Sequence, residues 1–296
     1  MNQNGHKTRR IFNRWVFPIR QESLPMLPSI FISHGAPTLA LEDVPARSFL
    51  REAASHLPER PTAILVASAH WGTRTPVVSA MTRNTTIHDF GRMFPSALFE
   101  MRYDAPGAPA LAERAADLLA SAGLASRVDD RRGLDHGAWV PLSQMYPAAD
   151  IPVLQVSIQP HLGPAHHLDL GRALAPLRRE GVLIIDSGSF THNLEEFFGQ
   201  TPDAPEPDWV AAFADWVDGA LLEGRLRDLL GYRYQAPFAA QNHPTDEHLL
   251  PLYVALGAAG MAPRTERLHR SASYGVLRMD AYAFTNDTDA AAAQAA

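Results

Sequence analysis

The sequence predicts a single α/β domain whose central sheet is mostly parallel and covered by helices. Three observations lead to this. Short apolar, β-rich runs recur along the chain, stretches of helical period separate them, and glycines stand where those stretches end. In order, strands are predicted at 29–33, 63–68, 153–158 and 182–185. These runs are continuous rather than alternating, as strands buried on both faces require. Helices are predicted at 110–122, 137–146, 166–179 and 209–222. In the first of these, Ala110, Leu111, Ala115, Leu118 and Leu119 fall at three- and four-residue steps and so share one face. Gly123 and Gly181 occupy the places where left-handed C-terminal caps belong.

The chain has 296 residues, 46% apolar and 20% charged, the balance of an ordinary globular protein. No apolar run approaches the roughly 20 residues that cross a bilayer. No membrane partner is therefore expected, and the expected location is cytoplasmic. Net charge is -6. Residues 1–26 hold Lys7, Arg9, Arg10, Arg14 and Arg20 against Glu22, a net +4, which leaves -10 for the rest. An acidic body speaks against nucleic acid as a partner. The first 26 residues lack the apolar core and cleavage site of a secretory signal. They read as an extension, either disordered or an over-called start with Met26 as the true first residue. The folded pattern spans 27–286, and 287–296 reads as a disordered tail.

Cysteine is absent, which removes disulfides, thiolate metal sites and thiol nucleophiles together. Thirteen histidines remain, so any reactive centre has to be built from His, Asp and Glu. Three predicted strands lead into histidines. The first runs into His34-Gly35, the second into Ala69-His70-Trp71, and the last into the segment Asp186 to Asn193 that contains His192. Ligands of open α/β sheets gather outside the carboxyl ends of strands, so these histidines can converge. His248 precedes a helix start that Pro251 in the first turn tolerates. Small neighbours at Gly35, Ala69 and Gly188 leave room for a crowded cluster. From position alone His34, His70 and His248, with His192 close by, can form one metal site, or each can be a capped or surface histidine, and the two readings stand even.

Seven motifs carry a resemblance to a known family. They are His34-Gly35-Ala36-Pro37; Ser68-Ala69-His70-Trp71; Ile87-His88-Asp89-Phe90; Tyr103 with Ala105-Pro106-Gly107; Leu134-Asp135-His136-Gly137-Ala138-Trp139; Ser187-Gly188-Ser189 with His192-Asn193; and Pro244-Thr245 with Glu247-His248, Leu250 and Pro251. In this order they resemble the DOPA-type extradiol ring-cleavage dioxygenases, of the class III family that also contains the catalytic subunit of protocatechuate ring-cleaving enzymes. The resemblance covers 28–284 and makes 27–286 the catalytic domain. It implies one divalent ion held by His34, His70 and His248, with His192 as a fourth ligand or an acid/base. Fe(II) would serve activity, and Zn(II) is an alternative bound species. Protocatechuate-type relatives use a carboxylate as third ligand, so Glu247 competes with His248 for that place; the DOPA-type pattern favours His248.

The implied reaction is extradiol cleavage of a catecholic ring with O2, the partners being a small aromatic diol and oxygen. Removing the second catechol proton needs a base that titrates near neutrality, and His192 is expected to be that base. His136 is expected to donate toward the oxygen. Trp71, His88 and His243 are placed at the substrate or just behind it, with Phe94 and Trp139 as further aromatics. His6, His56, His161, His166, His167 and His269 are expected to face solvent. The chain is expected to be a monomer or a small homo-oligomer. Two other functions fit the same cluster: a zinc-dependent hydrolase and a non-catalytic, Memo-like metal- or partner-binding protein. The Leu134-Asp135-His136-Gly137 motif favours the oxygenase, since a pure binding module has no chemical use for it.

Overall fold

The apolar runs become adjacent parallel strands, each buried along its length. The computed structural model describes residues 26–286, so the predicted tail, and the extension apart from Met26, lie outside the described residues. The strands are β1 (Ser29–Ser33), β2 (Ala63–Gly72), β3 (Val77–Ser79), β4 (Arg127–Asp129), β5 (Val153–Ile158), β6 (Val182–Gly188), β7 (Arg264–His269), β8 (Ala272–Ser273), β9 (Leu277–Arg278) and β10 (Ala281–Thr285). Eight form one sheet in the order β4-β3-β5-β2-β6-β1-β10-β7, and β8 pairs with β9 in a small ribbon. The pairs β5–β2, β2–β6 and β6–β1 are parallel, so their carboxyl ends share one edge. The strands β10 and β7 extend the sheet antiparallel beside β1.

Side chains alternate between two cores, as the strand period requires. Leu65, Ala67, Ile184 and Phe31 face the helices Pro109–Ser121, Gly163–Leu174, Asp208–Leu222 and Leu250–Ala258. Ile64, Val66, Leu183 and Ile185 face the helices Pro45–Ala53 and His136–Met145. The Leu250–Ala258 helix is buried at every position, and its contact with the Gly163–Leu174 helix is backbone to backbone. A Cβ at Gly257 would stand 2.0 Å from the carbonyl oxygen of Leu168. This is a helix without a polar face, which periodicity alone does not reveal.

Three elements differ from their expected bounds by more than one residue. The helix predicted at 166–179 begins earlier, at Gly163, and ends at Leu174, where Pro176 converts the remainder to a 3-10 turn over Ala175–Glu180. The second strand runs on to Gly72, with an irregularity in its pairing to β5 between Ala67 and Gly72. His70 and Trp71 therefore lie on the strand's projecting end. The β6 strand likewise extends to Gly188. No helix among the described residues is long and apolar enough to cross a membrane.

Candidate active site at the strand carboxyl edge

The β1 ladder continues past its last residue through a hydrogen bond from the His34 backbone N to the Gly188 carbonyl, 2.9 Å, which fixes His34 over the end of β6. Beyond Ser68, β2 no longer pairs with β6, and His70 projects over the same edge. His248 comes from the turn before the Leu250–Ala258 helix. It approaches so closely that a Cβ at Gly188 would sit 2.1 Å from the His248 carbonyl oxygen. The Nε2 atoms of His34 and His70 are 2.9 Å apart, and those of His70 and His248 are 3.3 Å apart. Nitrogen ligands about 2.0–2.1 Å from one ion lie about 2.9 to 3.4 Å from each other at octahedral or tetrahedral angles, so this spacing suits a single small divalent cation.

The outer partners set the lone pairs. The Ser187 hydroxyl donates to the Gly137 carbonyl, so toward the His34 Nδ1, 3.0 Å away, it can only accept. The His34 proton is thus on Nδ1, leaving Nε2 free to coordinate. The Glu247 carboxylate accepts from the His248 Nδ1 at 3.2 Å and from the Thr245 hydroxyl at 2.9 Å. Glu247 therefore stands on the outer side of the His248 ring, while Nε2 of that ring faces His70. Burial, then the neighbouring imidazoles, hold His34 and His248 well below the usual histidine range. Burial first, and His136 second, bring His70 to about 4. All three are neutral at pH 7, the form that binds a metal.

Two more histidines face the same cavity of about 270 Å³. The His192 ring stacks on His248, centroids 3.5 Å apart and planes within 7°; burial lowers its pKa to about 4. His136 opens the His136–Met145 helix, whose N-cap is Asp135. Although fully buried, Asp135 is well paired: it accepts from Ser68 Oγ (2.6 Å), Arg132 (2.8 Å), Gln155 Nε2 (2.9 Å) and the Ala138 backbone N (3.3 Å). Leaving a buried polar group short of a partner typically costs about 1–3 kcal/mol, so the network pins the helix start and with it His136. Phe90, Phe94, Leu194, Phe197, Phe198 and Leu277 supply the apolar walls.

The other expected residues sit as follows. Trp71 and His88 do not line the cavity, and His243 stands behind it, the second of its two expected placements. Trp71 is turned to the Arg132 guanidinium, 5.2 Å from its ring centre. His88 donates from Nε2 to the Met101 carbonyl, 3.1 Å, and its ring edge meets Phe90 and Trp139. His243 is buried behind His192, where it donates to the Phe190 carbonyl at 3.1 Å. Trp139 is core, donating to the Ile87 carbonyl. His167 is also buried rather than solvent-facing: its Nδ1 donates to the Gly163 carbonyl and its Nε2 accepts from the Gln159 N–H. His6 lies outside the described residues.

Two residues that touch the histidine cluster stood in the quoted motifs without being given a role. Ser187 ends the alternation Leu183, Ile185, Ser187 on one face of β6, a polar residue at the rim of an apolar face, and that was a usable signal. Asp89 lies in an irregular loop and gave none beyond its place in the Ile87-His88-Asp89-Phe90 motif. Its Oδ1 accepts from the Nδ1 (2.9 Å) and the backbone N (3.0 Å) of His136, and its Oδ2 lies 3.7 Å from the His70 Nδ1. Burial pushes its carboxyl up, but the interactions with His136 more than reverse this, to about 2.

Comparison with known proteins gives the family. The family described as the catalytic LigB subunit of aromatic ring-opening dioxygenase matches residues 28–285. A 4,5-DOPA dioxygenase extradiol of Beta vulgaris is 48% identical over 263 residues, covering 87% of this chain and 96% of the relative. The protein of the same name from Escherichia coli K12 is 42% identical over 236 residues, covering 78% and 85%. A crystal structure of an uncharacterised Escherichia coli K12 protein superposes with a TM-score of 0.71 at 34% identity, covering 87% of this chain and 99% of that one. The chain belongs to the LigB family of class III extradiol dioxygenases, metal-dependent enzymes that open aromatic rings with O2.

Proposed function

We propose that the chain cleaves a DOPA-like catechol beside its hydroxyls, using one Fe(II) ion held by His34, His70 and His248. The observation that carries this is the convergence of three neutral imidazole Nε2 atoms at the floor of an aromatic-walled cavity, flanked by His192 and His136. When bound, the ion supplies a Lewis-acidic centre with positions left open beyond its three protein ligands. An all-nitrogen donor set suits iron and zinc alike, and ring opening by O2 calls for the redox-active one. Glu247 serves as the outer partner of His248. The aromatic walls hold the ring and exclude water, which strengthens every polar interaction within. His192, neutral and stacked on His248, accepts a proton from a substrate hydroxyl, and His136, on the same cavity, is the second group that exchanges a proton with the substrate. DOPA, the substrate in the relatives' names, is the reference compound for the test. Anaerobically iron-loaded protein mixed with DOPA and O2 is expected to consume one O2 per catechol and to yield a product carrying both oxygen atoms, read by mass spectrometry with labelled oxygen. Absence of oxygen uptake with every catechol tried, at full iron loading, would refute the proposal.

A further inference from the structure

We propose that Asp89 is the positioning residue of His136, fixing the ring in the tautomer whose Nδ1 carries the proton and turning the Nε2 lone pair into the cavity. This rests on the catechol-cleaving role of the site for its consequence, though not for its geometry. A carboxylate oxygen only accepts. Because Oδ1 of Asp89 lies 2.9 Å from the His136 Nδ1, that nitrogen is the donor, and in the neutral ring Nε2 is then unprotonated. The same oxygen also takes the His136 backbone N–H at 3.0 Å, so one atom grips the residue at two points and fixes the ring relative to its own main chain. The carboxylate is supplied by a loop remote from the helix it anchors, 47 residues away in sequence, and both residues line the cavity.

The consequence concerns which ring nitrogen exchanges protons. With Nδ1 engaged by Asp89, Nε2 is the nitrogen left facing the cavity. When it takes a proton, the O–H bond of a substrate hydroxyl breaks, an N–H bond forms at Nε2, and the substrate oxygen keeps the electron pair. The positive charge formed on the ring then lies beside the Asp89 carboxylate. Asp89 touches neither substrate nor oxygen in this scheme; it acts through the ring.

Two variants of the full chain test this. Nitrogen-15 NMR of the zinc-loaded, oxygen-inert protein reads the tautomer directly. The wild type is expected to show a protonated Nδ1 at His136, and Asp89→Ala is expected to lose that preference. Under steady-state turnover of the iron-loaded protein, Asp89→Ala is expected to lower kcat by about 100-fold or more, with KM and metal content nearly unchanged. Asp89→Asn is expected to keep the tautomer and recover most of the rate, because the His136 backbone N–H requires an acceptor and so holds the amide oxygen in place. A wild-type spectrum with Nε2 protonated would overturn the proposal, as would full kcat in Asp89→Ala. Metal loss that matches the loss of rate would overturn it too, by assigning Asp89 to His70. If no catechol is turned over at all, the ring-cleaving function fails while the spectrum still decides the tautomer.

Discussion

Removing the Ser187 hydroxyl isolates what an outer hydrogen bond contributes to the metal centre. Ser187 is fully buried and His34 nearly so. In Ser187→Ala the His34 Nδ1–H and the Gly137 carbonyl both lose their partner, and the space is too confined for either to reach bulk water. An unpaired buried polar group costs about 1–3 kcal/mol, which falls on the metal-free protein. Freed from its acceptor, the His34 ring also populates the tautomer with Nε2 protonated, which cannot coordinate. Loss of an outer partner of this kind usually weakens metal binding by about 10–100-fold, equivalent to about 1.4–2.7 kcal/mol. Competition with a chromophoric chelator gives the dissociation constant, and urea denaturation of the metal-free form gives the stability term. An unchanged dissociation constant would refute the argument that Ser187 sets the His34 lone pair.

Replacing His248 with Ala is expected to abolish most metal binding, measured by elemental analysis, whereas Glu247→Gln is expected to retain it. The glutamine oxygen can still accept from the His248 Nδ1, and the reverse pattern would make Glu247 the ligand. Acid should destabilise the metal-free protein even outside the cluster. Burial lowers His167 to about 4 and His243 to about 3, while both titrate near 6.5 when unfolded. The folded pKa is depressed, so the unfolded chain binds the extra protons: stability is full above pH 6.5 and drains away as pH falls toward 4. Between pH 7.5 and 5 each of the two is expected to remove about 2 kcal/mol. Urea titrations of the wild type and of His167→Gln should differ by about that slope; identical pH dependence in the two would refute the assignment.

What could be read from the sequence divides along a physical line. His34, His70 and His192 were legible as candidates because each follows a parallel strand, and parallel strands deliver their ends to one edge whatever the loops do. Their neighbour His248 was legible only as the start of a helix whose apolar surface runs all the way round, so its direction depended on where Leu250–Ala258 packs. That is decided by the close approach at Gly257, a contact no periodicity reports. The misplaced residues fail for the converse reason. Trp71 and His88 are chemically suited to an aromatic substrate, but a side chain's direction at an irregular strand end or in a loop follows the tertiary partners it finds. Arg132 took one, and the Met101 carbonyl took the other. Asp89 shows the same dependence in the opposite sense. In the sequence it is an ordinary acid in a loop; it gains chemical meaning when the Asp135 cap starts a helix within 3 Å of it and presents an N–H and an imidazole to one oxygen. The ligands are set by strand direction, whereas the groups that govern their protons are set by packing between distant segments. A sequence reading of such a site therefore finds the nitrogens around the metal before it finds the oxygens that orient them.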